Sequence, residues 1–259
     1  MKQKRIIVLL FVLGLVLPSF AWGPKGHRIV AEVAYNHMSK KAIKQVDAIL
    51  GTHGMIMWVN WPDEIKSDTV YPYSFNWHFQ NLDGGLSDSA VVATMTDYPK
   101  EGGKLWRAVD SLQVELKRDR YNHDALVFFI HLIGDTYCPM HLAHADDRGG
   151  NKIKLMWFGA PTNLHRIWDE NLIDSRGFSY TEYAKFLNDR FDKAHKNKPL
   201  PSRAEDAVVT YHIVEAIYAY QTLNDTNTYH YIYRFKNDME WQLYEAGLRL
   251  ASLLNEIYK

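Results

Sequence analysis

The sequence holds a single cysteine, Cys138, among 259 residues, so no internal disulfide is available to it. It also lacks a charge of one sign. Thirty basic residues balance thirty acidic ones, which excludes the broad electrostatic funnel of an avid nucleic-acid binder and requires any such partner to be held locally. No apolar run is long enough to anchor it in a bilayer. The longest, Ile6–Phe20, offers about 15 residues against the roughly 20 that a spanning helix needs. Repeats, low-complexity tracts and interdomain linkers are missing, and so is any persuasive alternating strand. With 47% hydrophobic residues the chain can bury a full core, and with no disulfide a metal is a natural stabiliser.

The apolar run itself reads as the core of a secretory leader. Met1–Arg5 is a basic start, Pro18 breaks the run near its end, and Ser19 and Ala21 are small residues at −3 and −1. Cleavage after Ala21 removes 21 of the 259 residues, leaves 238 in one domain, and makes Trp22 the new amino terminus. No cysteine follows the cleavage point to signal a lipoprotein. The expected destination is the periplasm or the medium, with no stable membrane association afterwards.

The mature part is helical in pattern. Residues 28–37, 39–50, 104–117, 125–133, 180–191, 204–222 and 237–258 carry apolar residues at spacings of three and four, with Ser39 placed as an N-cap. Only residues 152–158 read as a short strand. The spacing therefore predicts one all-α, multi-helix domain.

Chemistry concentrates in five stretches. In "FIHLIGDTYCPMH", His131 and Asp135 lie one helical turn apart and share a face, and His141 follows the helix-ending Pro139. "NLHRIWD" repeats the device with His165 and Asp169. Imidazole and carboxylate at i, i+4 suit Zn²⁺, and two such pairs on apolar helices favour metal over buried structural histidines, whose carboxylate partners would need separate compensation. "NWPDEIK" and "NWHFQN" add Asp63 and His78, each weak alone: Asp63 serves equally as a helix cap and His78 as part of an aromatic cluster. "WGPKGH" adds His27 and the Trp22 amine. Nine such groups are too many for one zinc, at about four ligands an ion, and suit three if a carboxylate bridges.

In their order along the chain, "WGPKGH", "WPDEIK", "WHFQN", "IHLIGDTYCPMH", "RGGN" and "NLHRIWD" resemble the zinc-dependent, single-strand-specific nucleases, class I endonucleases with 3′-nucleotidase activity. Their superfamily also holds the trinuclear-zinc phospholipases C. The resemblance implies an all-α fold with a metal cluster at the base of a cleft. It implies one zinc on Asp63, His78, His131 and Asp135, a second on His141, His165 and Asp169, and a third on Trp22 and His27 with Asp135 shared. It further implies catalytic roles for Asp63, Asp135 and Lys66, hydrolysis of single-stranded DNA and RNA to 5′-phosphorylated nucleotides, and loss of phosphate from 3′-mononucleotides. Phe79, Asn81 and Asn151 match substrate-contacting positions, although core packing explains Phe79, and a left-handed turn Asn151, equally well.

Two positions depart from the fungal pattern: Lys66 stands for Arg, losing the bidentate fork, and Asn81 stands for Asp. Cys138, beside three expected ligands, reads as a buried inert thiol. A phospholipase C or another phosphodiesterase would use the same cluster. A non-catalytic exported zinc-binding protein is the remaining alternative, disfavoured because its ligands would cluster in a mobile loop. The protein is expected to be a monomer.

Overall fold

A computed structural model describes residues 22–66, 68–99, 101–195, 198–221 and 226–259. The expected leader, residues 1–21, lies outside the described residues, as does Thr222. The described residues form a helical domain with one small hairpin. In chain order the helices are α1 (Pro24–His37), α2 (Lys40–Leu50), α3 (Gly54–Trp58), α4 (Trp61–Glu64), α5 (Asp88–Asp97), α6 (Leu105–Arg118), α7 (His123–Asp135), α8 (Leu164–Arg166), α9 (Leu172–Asp174), α10 (Tyr180–His195), α11 (Arg203–Gln221) and α12 (Thr228–Ile257). Strands β1 (Lys154–Trp157) and β2 (Ala160–Asn163) precede α8. Among the described residues no helix is long and apolar enough to cross a membrane.

The periodic stretches became helices close to their expected bounds, and Ser39 caps α2 by accepting from the Ala42 N–H at 3.1 Å. Two differences have physical causes. α12 begins nine residues before the expected Asn237, because the Asn227 side chain caps the N–H groups of Tyr229 and His230. The expected strand finds a partner in β2, paired from Lys154↔Asn163 to Trp157↔Ala160. Phe158 and Gly159, both at positive φ (47° and 81°), make the two-residue turn that suits the twist of a hairpin.

α7 lies at the centre, buried at every residue from Ala125 to Asp135, and α1, α4, α6 and α12 pack around it. α1 in turn lies along α12 and α10. Glu240, fully buried on α12, ties this side together: it accepts from Arg176 Nε at 3.0 Å, from the Tyr183 hydroxyl at 3.0 Å, and pairs with Arg190. The start of α7 is fixed by Asn122, whose side chain accepts from the Ala125 N–H at 3.0 Å. Asn122→Ala should lower stability by about 1 kcal/mol, the usual cost of a lost N-cap. Urea unfolding followed by circular dichroism checks it; an unchanged midpoint would show that this cap does not hold α7.

Candidate metal centre

His131 and Asp135 lie on the same face of α7 as Phe128, three and seven residues along. Phe128 is what brings the other ligand segments in. Its ring meets Trp61 at 5.6 Å, Tyr71 at 5.7 Å and Trp77 at 5.2 Å, all edge-on or tilted. Trp61 belongs to α4, which carries Asp63, and Trp77 closes the 3₁₀ turn Ser74–Trp77 just before His78. Trp77, not His78, is thus the aromatic-cluster residue. Asp63 does not cap its own helix, because its carboxylate turns inward, Oδ1 lying 2.5 Å from Lys66 Nζ and 3.5 Å from both His78 and His131.

His27 arrives from α1. Its ring stacks on His131 with centroids 3.8 Å apart, and its Nε2 stands 3.3 Å from Asp135 Oδ1. Gly134 permits this approach: a Cβ there would stand 2.9 Å from His27 Nδ1. Trp22 is fully buried beside them, and the next residue is tethered by the Gly23 N–H donating to the Asp169 carbonyl at 2.7 Å.

The remaining three groups come from irregular backbone. His141 sits in the 3₁₀ turn Pro139–His141. His165 and Asp169 are joined at 3.1 Å, and the helix carrying them widens to a π turn over Ile167–Asn171. Such turns interrupt helices mostly where function requires it. His131, His141 and His165 each donate Nδ1–H to a backbone carbonyl, of Val59, His78 and Gly149 respectively. That fixes the tautomer and leaves Nε2 as the ligand atom.

The two oxygens of Asp135 face different partners. Oδ2 lies 3.1 Å from His78 and 3.4 Å from His131, while Oδ1 faces His27 at 3.3 Å and His141 at 3.8 Å. Ligand atoms of His27, Asp63 and His131, of His78, His131 and Asp135, and of Cys138, His141 and Asp169 each lie within 4.8 Å of one another. All are buried, and both nitrogens of His27, Nε2 of His78 and His141, and Oδ1 of Asp135 make no hydrogen bond. Buried polar atoms that converge without hydrogen bonding one another fit a cation, not a packed core. The donor set of imidazole and carboxylate suits zinc.

Charge within the cluster points the same way. Burial alone would drive the proton off His131, but Asp135 and Asp63 outweigh it and push its pKa up to about 10. Burial, aided by Lys66, pulls His78 down to about 4, and burial brings His141 to about 3. Burial lifts Asp169 to about 6 despite His165. Burial also opposes ionisation of Asp135 and Asp63, yet His131 holds both carboxyls below the usual range. The structure thus separates His27, His78 and His141, whose imidazoles are neutral, from His131, and in direction His165, whose carboxylate neighbours hold the proton against a metal.

Cys138 is the residue that reading the sequence set aside and the structure places within ligand reach. Its Sγ lies 3.5 Å from Asp169 Oδ1, and burial, with Asp169 and Asp135, raises the thiol well above its ordinary pKa, so it donates. Lys66, largely buried, faces the centre closely enough for its charge to bear on His78, His141 and His165. Phe79 is half-buried, its ring edge-on to the exposed Phe75 at 6.2 Å. Asn81 donates Nδ2–H to the Ala143 carbonyl at 2.9 Å, and Asn151 donates to the Arg148 carbonyl at 2.9 Å. Asn151 is not itself left-handed; that conformation falls on Arg148, Gly149 and Gly150.

The S1/P1 Nuclease family model matches residues 22–259. The chain belongs to this family. It is similar to Endonuclease 3 of Arabidopsis thaliana, 27% identical over 98% of this chain and 94% of that protein. Nuclease P1 of Penicillium citrinum is 27% identical over 92% of this chain and 98% of its own length. Nuclease S1 of Aspergillus oryzae is 28% identical over 69% and 65%.

Two outcomes are expected of the centre. Zinc added to chelator-treated protein at pH 7 should release at least one proton per chain, because His131 titrates near 10 and must lose its proton to bind. Calorimetry in buffers of different ionisation enthalpy reads this directly, and buffer-independent heat would contradict it. Gly134→Ala should push His27 aside and weaken one metal ion by roughly 10–100-fold, as loss of a ligand's support does. Competition with a chromophoric chelator measures it; unchanged stoichiometry and affinity would remove His27 from the site.

Proposed function

We propose that this S1/P1-family nuclease cuts phosphodiester bonds of single-stranded DNA and RNA at a cluster of three zinc ions, leaving 5′-phosphorylated products and also removing phosphate from 3′-mononucleotides. The observation that carries the reading is Asp135, buried between two sets of imidazoles with one oxygen toward each. In this reading Asp63, His78, His131 and Asp135 would hold one ion, and His141, His165 and Asp169 a second. Trp22 and His27 would hold the third, with Asp135 shared. Bound there, zinc would supply Lewis acidity and a nucleophile active at neutral pH.

The chain's own residues do the rest. Lys66 brings a positive charge to the mouth of the cluster, where a phosphate oxygen would take it up, although as a point charge and not a fork. Phe79, half-exposed beside the ligand His78, offers a ring face to an unpaired base, and a base held in a duplex cannot reach it. Asn81 and Asn151 keep their carbonyl oxygens for the substrate while their amides brace the backbone. Cleavage of a leader after Ala21 would free the Trp22 amine as a ligand and deliver the protein, a monomer, to the periplasm or medium.

The test is an assay of protein beginning at Trp22 on single-stranded DNA, RNA, duplex DNA and phosphatidylcholine, with and without chelator. Chelator-sensitive release of 5′-nucleotides from single strands, lost by at least ~100-fold in Asp135→Asn, is the expected outcome. Release of phosphocholine alone would transfer the site to a phospholipase. Metal bound without any turnover would favour a binding protein.

A further inference from the structure

The extended segment after His78 passes a second cavity, of about 250 Å³, lined by Gln80, Tyr98, Pro99, Gly103, Lys104 and Arg107. No carboxylate is among the lining residues. Gln80 is only 2% exposed, and its Nε2 makes no hydrogen bond. A buried, unpartnered amide donor costs stability and is tolerated where a ligand completes it. The cavity also sits at the start of the 14-residue α6, which has no side-chain cap and no acidic residue in its first turn. The N–H groups of Lys104 and Leu105 are taken by the Phe79 carbonyl, but the next ones in the first turn have no acceptor within the helix. Lys104 and Arg107 are exposed, and among the described residues neither has an ion-pair partner. The nearest acid on the same helix face, Asp110, is already held by Arg203 at 2.6 Å and by the Tyr98 hydroxyl at 2.7 Å.

The cavity offers an unpartnered amide donor, two cationic side chains and a helix start, and no carboxylate lines it, so its ligand is an oxyanion. Its position says which one. Gly103, at φ 118°, lies so close under Phe79 that any Cβ would meet the Phe79 carbonyl and ring. Gln80 lies two residues beyond His78, at most about 7 Å of chain and within roughly one nucleotide's reach of the centre.

We propose that Gln80, Lys104, Arg107 and the start of α6 bind the phosphodiester group of the substrate strand adjacent to the one being cut. The inference rests on the nuclease reading and extends it: the site would grip a strand and not merely a single linkage. Gln80 supplies the buried donor, Arg107 and Lys104 the charge, and the Gly102–Gly103 turn keeps the cavity flush with Phe79.

The experiment compares unmodified trinucleotides with trinucleotides carrying a neutral methylphosphonate at the uncut linkage, on either side, for the zinc-loaded wild type, Arg107→Glu and Gln80→Leu. In the wild type, neutralising the neighbouring linkage on one side should lower kcat/KM by about 10-fold, the loss expected of one charge-assisted contact. In both variants the same replacement should matter little. The salt dependence of KM for longer strands should also flatten in Arg107→Glu, by about 0.7 in log–log slope. Gln80→Leu should keep or raise the melting temperature, since it removes an unpartnered amide, whereas a purely structural glutamine would lower it. Equal methylphosphonate penalties in all three proteins would overturn the proposal. So would sulfate protecting the wild type, but not Arg107→Glu, against heat while the penalties stay equal, because the cavity would then take a free oxyanion. A wild type that cuts no unmodified strand would overturn the nuclease reading itself.

Discussion

The carboxylate of Asp135 is a negative charge removed from water at the end of a largely apolar helix. Such a group needs compensation, and the chain answers with the cationic His131 and with the imidazoles of His27, His78 and His141 around it. Five separate segments must then converge on one helix end. His27 comes from α1, Asp63 from α4, His78 from a 3₁₀ turn, His141 from another, and His165 with Asp169 from a widened helix. Each segment is held by something other than the cluster: rings around Phe128, carbonyls on Nδ1, a missing side chain at Gly134. The scaffold therefore positions these groups by contacts of its own, and their unpartnered atoms suit a cation.

This arrangement explains which parts of the site were legible in the sequence. His131–Asp135 and His165–Asp169 announce themselves because four residues are one helical turn. Asp63 and His78 did not, because what places them is Trp61 and Trp77 on Phe128, contacts between residues 51 to 67 positions apart that no local spacing encodes. The π turn at Ile167–Asn171 was hidden for a different reason: the sequence "IWDEN" has no feature that separates a π turn from ordinary helix. Cys138 reads from sequence as an inert buried thiol. The structure shows that its distance to Asp169, and not its residue type, makes it relevant. Helix periods gave most of the fold, whereas the hairpin needed Phe158-Gly159 to be recognised as a turn with a non-glycine residue at positive φ.

Precision at His165 also depends on a distant helix. Its Nδ1 is held by the Gly149 carbonyl, within a left-handed run from Arg148 to Gly150 that belongs to no helix or strand. That run is braced by Asp147, which accepts from the Gly150 N–H at 2.6 Å and from the Tyr218 hydroxyl on α11 at 2.9 and 2.8 Å. Beside it, His144 stacks on Tyr218 at 3.7 Å and bonds Glu215 at 2.7 Å. α11 thus reaches the centre through a turn, and a helix that contributes none of the clustered His and Asp groups still sets where His165 points.

The same logic separates the His/Asp centre from the cavity at the start of α6. At the centre, unpartnered donors and acceptors of both signs face inward, which suits a cation held by anions and neutral bases. At the start of α6 an unpartnered amide donor and two cations line the cavity and no carboxylate does, which suits an anion. The two are linked by three consecutive residues, His78-Phe79-Gln80, the first in the centre, the second a half-exposed aromatic, the third a buried amide. A strand of nucleic acid likewise repeats phosphate and base with every step. The order of chemistry along this segment therefore follows the order of groups along the strand it is proposed to cut.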